Sequence, residues 1–183
     1  RGGADILVVD DADVSAERAP VPSLLAVGAI HHRLIESSLR SLTSIVSVAD
    51  DARDVHHVAA LLGYGADAIC PRLALQTVGA EADASDDESA ISPEAQSRFE
   101  AAIEAGVLKV LSKMGISTVD SYRGAQIFEV IGLGPEIVDR CFRGTASVVG
   151  GIGWEHLGAD VLANHASGEL ASPGFFRNRK GGE

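Results

Sequence analysis

Four carboxylates follow two apolar runs of the chain that are typical of buried strands. Asp10 and Asp11 come after the first run, and Asp50 and Asp51 come after the second. Because ligands bind at the carboxyl ends of parallel strands, these side chains and a histidine could hold a divalent metal ion that activates water. The alternative is that the aspartates cap the helices that follow, with Asp51 capping the second helix.

Histidines occur as two adjacent pairs, His31-His32 and His56-His57, on two successive predicted helices. Neighbouring residues on a helix point about 100° apart, so a pair cannot chelate one ion well. His31 lies in the middle of an apolar stripe, which favours a core or interface histidine with a satisfied hydrogen bond.

The stretch Ser121–Gly124 lies between a predicted strand and a predicted helix. Its Arg123 could clamp a carboxylate or phosphate through two parallel hydrogen bonds, or it could form an internal pair with an aspartate or glutamate. The glycine-rich Gly150–Gly153 could cradle a phosphate ahead of the next helix, but no reactive group lies nearby and a simple turn is favoured. No Ser-His-Asp or Cys-His arrangement has a recognisable motif spacing.

Alternating strands and helices in the first half must position these residues. The apolar runs predict strands at Ile6–Val9, Thr43–Val48 and Ala66–Cys70, and helical spacing predicts helices from about Leu24 to Arg40 and near Arg53–Leu62. Ser23 is expected to cap the first helix. Strand, helix, strand, helix, strand is the pattern of right-handed βαβ units and a parallel sheet.

The second half is expected to be less regular. The base-free acidic stretch Gly79–Pro93 is predicted to be a solvated or mobile insertion, and Ser92-Pro93-Glu94 predicts the start of a long helix that ends at Gly115. The remaining predictions are a strand at Ile116–Val119, helices at Ala125–Ile131, Pro135–Phe142 and Trp154–His165, a loop at Gly144–Gly153 and a linker at Ser172–Glu183.

Composition narrows the functional classes. A net charge of −11 and the absence of a basic stripe argue against nucleic acid as a partner. A mean hydropathy of +0.16 is high for a soluble domain and suggests that apolar surface meets a partner. Two isolated cysteines, Cys70 and Cys141, indicate a reducing, cytoplasmic compartment, and no apolar run approaches the length that spans a membrane.

Four stretches, in collinear order, resemble one known family. They are Pro22–Ile35, Arg53–Pro71, Leu108–Leu133 and Val138–Gly153, and the most informative motif within them is VLKVLSKMGISTVDSYRGAQIFE at Val107–Glu129. The stretches are similar to the central domain of the large (alpha) chain of glutamate synthase. The end of the chain, Phe176–Glu183, resembles the approach to the synthase domain of that family.

The resemblance implies an α/β body that is partly barrel-like, with mainly parallel βαβ units and extra helices. It implies a central domain over residues 1–171, whose N-terminal part is missing, and a linker over residues 172–183 toward an FMN-binding domain. In the family, the central domain lies between an amidotransferase domain and the FMN-binding domain, and ammonia passes between their sites. FMN and an iron–sulfur cluster belong to the parent enzyme, and a small subunit or ferredoxin is a further partner.

None of the family's catalytic positions maps onto this chain, so no catalytic, cofactor-binding or metal residue is expected in it and the piece alone is expected to be inactive. If the chain is such a central domain, a face of it should contact neighbouring domains. The candidates for that face are His31, Tyr122, Arg123 and Gln126. Two other hypotheses remain open at this point. One is an independent metal-dependent hydrolase using Asp10, Asp50 and a histidine, and the other is a binding protein that uses Gly150–Gly153 for a phosphate.

Overall fold

A computed structural model describes residues 3–82 and 92–169 of the chain. Its first half is a three-stranded parallel sheet in the order β1-β2-β3. The elements are β1 (Ile6–Asp10), α1 (Ser23–Glu36), β2 (Ser44–Val48), α2 (Val55–Gly63) and β3 (Ala68–Cys70), with a 3₁₀ turn at Arg40–Leu42. The predicted βαβ units are therefore confirmed, although α1 ends four residues before Arg40.

One face of this sheet is packed by helices and the other is not. Ile45 and Ser47 of β2 are fully buried, and Ile45 packs with Val27 of α1 and Leu61 of α2. Side chains alternate between the two faces of a strand. The strand register therefore places a second set on the opposite, open face: Ile6, Val8, Val46, Val48, Ala68 and Cys70. On β1 this face is 60% exposed at Ile6 and 61% exposed at Val8.

The second half adds helices and a separate two-stranded parallel sheet. The elements are α3 (Arg72–Ala82), α4 (Pro93–Met114), α5 (Val119–Tyr122), β4 (Glu129–Leu133), α6 (Pro135–Cys141), β5 (Ala146–Ile152) and α7 (Trp154–Glu169). Helix α6 connects the parallel strands β4 and β5. The fold is thus mixed α/β with two small parallel sheets and extra helices, as expected. The described strands do not close into a barrel, so the term barrel-like applies only loosely.

Three apolar clusters make up the core of the described residues. The first lies between the three-stranded sheet and helices α1 and α2, and the second joins α2 to α4 around Tyr122. The third joins α6 to α1 around Ile137 and Phe142. At the α1–α6 crossing, a Cβ on Gly28 would collide with the main-chain carbonyl of Cys141, so only glycine permits this approach.

Helix ends follow the expected chemistry, but not always through the expected residues. Ser92 Oγ accepts a hydrogen bond from the Ala95 amide, and Gly115 ends α4 in the left-handed conformation, as predicted. Asp54, rather than Asp51, caps α2. Asp51, which lies in a different loop, instead accepts a hydrogen bond from the Ser23 amide at the start of α1, at 2.9 Å. No side-chain cap is formed at this end of α1, so the expected cap by Ser23 is absent.

Three predicted elements are wrong. Residues 116–118 form no strand and lead into α5, while the predicted helix at Ala125–Ile131 is partly strand β4. The predicted loop at Gly144–Gly153 contains β5, whose seven residues are all exposed and so lack the buried run that identifies a strand. Helix α3 was not predicted. Residues 83–91 of the acidic stretch and the 172–183 linker lie outside the described residues.

Candidate functional site

The carboxylates at the edge of the three-stranded sheet surround an arginine. Arg72, at the start of α3, donates from Nε and Nη2 to the two carboxylate oxygens of Asp50, at 3.0 and 2.6 Å. Its Nη1 donates to Asp10 at 2.9 Å, and its Nη2 also donates to Asp11 at 2.9 Å. The hydrogen bonds to Asp50, and after them the one to Asp10, raise the pKa of Arg72 above its usual range.

This arrangement does not fit the metal hypothesis, and it fits the capping alternative only in part, because Asp51 and Asp50 accept from amides at the starts of α1 and α3 rather than of the helix that follows them in the chain. Backbone amides also donate to these carboxylates, since Ala12 donates to the same oxygen of Asp10 as Arg72 does, Oδ1, and the Asp50 amide donates to the second oxygen of Asp11, Oδ2. A guanidinium fixed among three carboxylates leaves no place for a cation. The part of the chain that the structure describes also contains no group of three or more His, Cys, Asp or Glu side chains placed to hold a metal. The hydrolase alternative is therefore not supported.

His31 lies half-buried on α1 and is hydrogen-bonded, as expected. Its Nδ1 accepts a hydrogen bond from Nε of Arg40 at 3.0 Å. Burial, with the nearby charge of Arg40 as the next cause, lowers the pKa of His31 to about 4. The imidazole is therefore neutral at pH 7, and because Nδ1 is an acceptor, the proton is on Nε2.

Asp67 links Arg40 to Arg123. Its Oδ2 accepts hydrogen bonds from Arg40 Nη2 at 2.8 Å and from the Ile45 amide at 2.7 Å. Its Oδ1 pairs with Arg123, which also pairs with Asp120. The internal-pair alternative for Arg123 is thus what the structure shows, and two carboxylates already occupy the guanidinium that could have clamped a ligand.

Three of the four predicted interface residues lie close together, and the fourth lies beneath them. His31 and Gln126 line a pocket of about 120 Å³, here called the His31 pocket, with His32, Tyr64, Phe128 and Arg143 among its other lining residues. Arg123 lies near this pocket, because it pairs with Asp67, which also binds Arg40, the hydrogen-bond partner of His31. Tyr122 is fully buried against Phe128, and its hydroxyl has no hydrogen-bond partner among the described residues.

The glycine-rich stretch does not offer a phosphate site. Gly151 lies so close to the carbonyl of Gly132 on the neighbouring strand that a Cβ would not fit. The carboxylate of Glu136 lies where a Gly153 side chain would be, close to the first residues of α7. A carboxylate in that position opposes an incoming anion, so the structure does not support this hypothesis for the glycines.

Two comparisons with known proteins now decide the family. A sequence model described as the glutamate synthase central domain matches residues 1–134. The chain belongs to this family. It is 43% identical to a glutamate synthase [NADH] of Schizosaccharomyces pombe and 44% identical to the glutamate synthase [NADPH] large chain of Bacillus subtilis, each over 99% of its length. It is 42% identical over 99% of its length to a ferredoxin-dependent glutamate synthase of Pyropia yezoensis.

The chain spans only a small part of these relatives, namely 9%, 12% and 13% of their respective lengths. The glutamate synthase central domain is thus similar in NADH-, NADPH- and ferredoxin-named enzymes, so its sequence does not report the electron donor. No described helix is long and apolar enough to cross a membrane.

The two cysteines of this glutamate synthase central domain are not placed to hold an iron–sulfur cluster together. Cys141 is 1% exposed and packs among apolar residues of α6 and β4, while Cys70 ends β3 in another part of the fold, so two thiols do not form a cluster site. The carboxylate of Glu136 near the start of α7 likewise disfavours a flavin phosphate there.

The residues that organise the candidate site were mostly missed from sequence. Arg40, Asp67, Arg72 and Arg143 take part in the ion pairs between distant parts of the described chain, and their partners lie up to 107 residues away. The only sequence signal for them was charge next to predicted apolar segments, which is equally common on solvated faces.

Proposed function

We propose that this domain is a non-catalytic central module of a glutamate synthase chain. It would hold an amidotransferase domain and an FMN-binding domain at a fixed separation and contribute part of the wall through which ammonia passes. The parent reaction would convert glutamine and 2-oxoglutarate, with two electrons and two protons, into two glutamates. FMN and an iron–sulfur cluster would be bound by parts of the parent enzyme outside this chain, in a reducing, cytoplasmic compartment.

The open face of the three-stranded sheet is the observation that carries this proposal. Parallel sheets are almost always covered on both faces, yet Ile6 and Val8 leave more than half of their surface in water here. Burying such side chains is favourable by about 25 cal/mol per Å². An apolar sheet face therefore supports docking against another part of a longer chain.

Other apolar groups are exposed away from that face. Ile131 of β4 and Val148 of β5 are 70% and 84% exposed. A second uncovered surface, on a different sheet, is what a module between two neighbours requires. An ammonia passage also needs apolar walls, because ammonium, the protonated form, has no lone pair with which to react.

A paired stability measurement tests the proposal. Val8→Asp should change the melting temperature of the 183-residue chain little, since Val8 already faces water. In the longer glutamate synthase chain the same change should lower it clearly, because the aspartate would be buried without a partner. Equal, small effects in both chains would show that the face stays uncovered and would contradict the docking role.

A second measurement addresses the coupling of the two half-reactions. The longer chain with Val8→Asp should still hydrolyse glutamine while releasing more free ammonia per glutamate formed. The 183-residue chain alone should show neither activity. Tight binding of FMN by that short chain would contradict a non-catalytic role.

A further inference from the structure

The His31 pocket presents hydrogen-bond donors that no described residue accepts from. Arg40 donates to Nδ1 of His31, so Nε2 carries the proton. Nε2 lies on the side of Gly124, 4.0 Å from where a Cβ on that glycine would be, whereas Nδ1 faces Gly65. The ring is therefore fixed with its N–H toward the pocket.

Gln126 and Arg143 add donors from the other side. The side-chain nitrogen of Gln126 lies against Gly144, in space that any Cβ there would fill. Gln126 itself has a φ of +52°, in the left-handed region where the backbone of residues other than glycine is strained. Arg143 uses Nη2 for Glu36 and Nε for the Asp139 carbonyl, which leaves Nη1 without a bond to the described residues.

The walls and the charged groups of the pocket restrict the kinds of ligand that it can bind. The rings of Tyr64 and Phe128 are stacked with centroids 5.6 Å apart and form an apolar wall. Arg40 and Arg123 lie behind His31 and share Asp67, a partly buried carboxylate, as their counter-ion, and Arg123 also pairs with Asp120. Arg143 pairs with Glu36, so these charges are matched, and what the pocket offers an anion is its uncommitted donors, of which Nη1 of Arg143 belongs to a charged group.

We propose that the His31 pocket binds a carboxylate group, held by His31 Nε2, the Gln126 amide and Arg143. A volume of about 120 Å³ suits a carboxylate with a short apolar stem. The carboxylate comes either from a small free acid or from an Asp or Glu side chain of a neighbouring domain. Binding of a free acid does not rest on the proposed function, because it concerns the pocket of this chain alone, whereas a side chain from a neighbouring domain does rest on it.

A titration of the ¹⁵N-labelled 183-residue chain with sodium acetate tests the site. Acetate should shift the signals of the Gln126 side-chain amide and of His31 in a saturable way. Acetamide, which has the same shape without the charge, and sodium chloride at equal ionic strength should not. Shifts of equal size with all three additives, or none with acetate, would overturn the proposal.

Two matched variants separate direct contact from general charge. Arg143→Gln should weaken acetate binding about tenfold, the usual effect of losing one charge-assisted hydrogen bond. Arg33→Gln removes the same charge from the other partner of Glu36 but lies outside the pocket, so it should leave binding nearly unchanged. Equal weakening by both variants would mean that no direct contact exists.

His31→Asn removes the Nε2 donor while keeping an acceptor near the position of Nδ1 for Arg40. It should therefore weaken acetate binding while the chain keeps its fold, as judged by its amide spectrum. Unchanged acetate binding would overturn the role of His31.

The longer glutamate synthase chain distinguishes the two sources of carboxylate. If a neighbouring acidic side chain fills the pocket, acetate should no longer bind, and Arg143→Gln should lower the melting temperature more in the longer chain than in the short one. If the ligand is a free acid, acetate should bind both chains alike. Loss of acetate binding without the extra destabilisation would overturn both sources.

Discussion

Arg72 and Asp50 meet through two parallel hydrogen bonds, from Nε to Oδ1 and from Nη2 to Oδ2, at the carboxyl edge of the three-stranded sheet. The two residues come from different connections, one following β2 and the other following β3. The pair therefore ties the start of α3 to the sheet, and it holds the neighbouring Asp10 and Asp11 close to Asp50 despite their like charges.

Removing this guanidinium should destabilise the chain through the carboxylates left behind. Arg72→Gln is expected to lower the melting temperature at pH 7, because three neighbouring carboxylates would repel one another without their shared counter-ion. Asp50→Asn in the Arg72→Gln background should restore part of the loss. Strictly additive effects of the two changes would show that the pair does not interact.

Two glycine-to-alanine changes should have opposite signs. Gly28→Ala places a methyl group against the Cys141 carbonyl at the α1–α6 crossing, and overpacking of this kind costs about 1–3 kcal/mol. Gly158→Ala on α7 meets open space and should stabilise by about 0.5–1 kcal/mol through helix propensity. Denaturant unfolding of both variants measures the difference, and a neutral Gly28→Ala would show that the helices can move apart.

Asp54 should stabilise the start of α2 as its cap. Its Oδ1 accepts from the amides of His56 at 2.7 Å and His57 at 3.1 Å, so Asp54→Ala is expected to cost about 1 kcal/mol. Asp54→Ser, which can still cap, should lose much less.

The hydrogen bonds from the His57 and His56 amides lower the pKa of Asp54. The stabilising effect of this group should therefore be present above the unfolded pKa of the carboxyl and be lost as the pH falls through its lower folded value. An equal loss of stability in Asp54→Ala and Asp54→Ser, measured by denaturant unfolding, would contradict the capping role.

His31 should make the folded state sensitive to mild acid. Its folded pKa of about 4 lies below the ordinary value of 6.5, so the unfolded chain binds more protons between these two values. The contribution of this residue is complete above pH 6.5 and is lost as the pH falls toward 4. Nitrogen NMR of the imidazole should show a neutral ring with the proton on Nε2 at pH 6, whereas titration near 6.5 would contradict the burial and the Arg40 contact.

The regular half of the fold could be predicted because its signals are local. Strands β1 and β2 are short apolar runs, and α4 begins and ends with the residues that favour helix ends. Strands β4 and β5 were missed because a strand such as β5, with glycines and seven exposed positions, carries no alternating pattern.

The candidate site was predictable only in part, for a different reason. His31 and Gln126 were named as interface candidates, and they line one pocket. Arg72, by contrast, binds carboxylates that precede it by 22 to 62 residues, and its helix was not predicted. Pairings over such separations are set by the strand order, which no short sequence window contains.

The stacked rings of Tyr64 and Phe128 join the second and third apolar clusters, since each ring belongs to a different one. Both rings line the His31 pocket. A group bound there would contact both clusters and would dissociate when they separate. Its binding free energy would therefore add to the free energy needed to separate them. Occupancy of this small cleft would therefore couple to the contact between the second and third apolar clusters, so that each would stabilise the other.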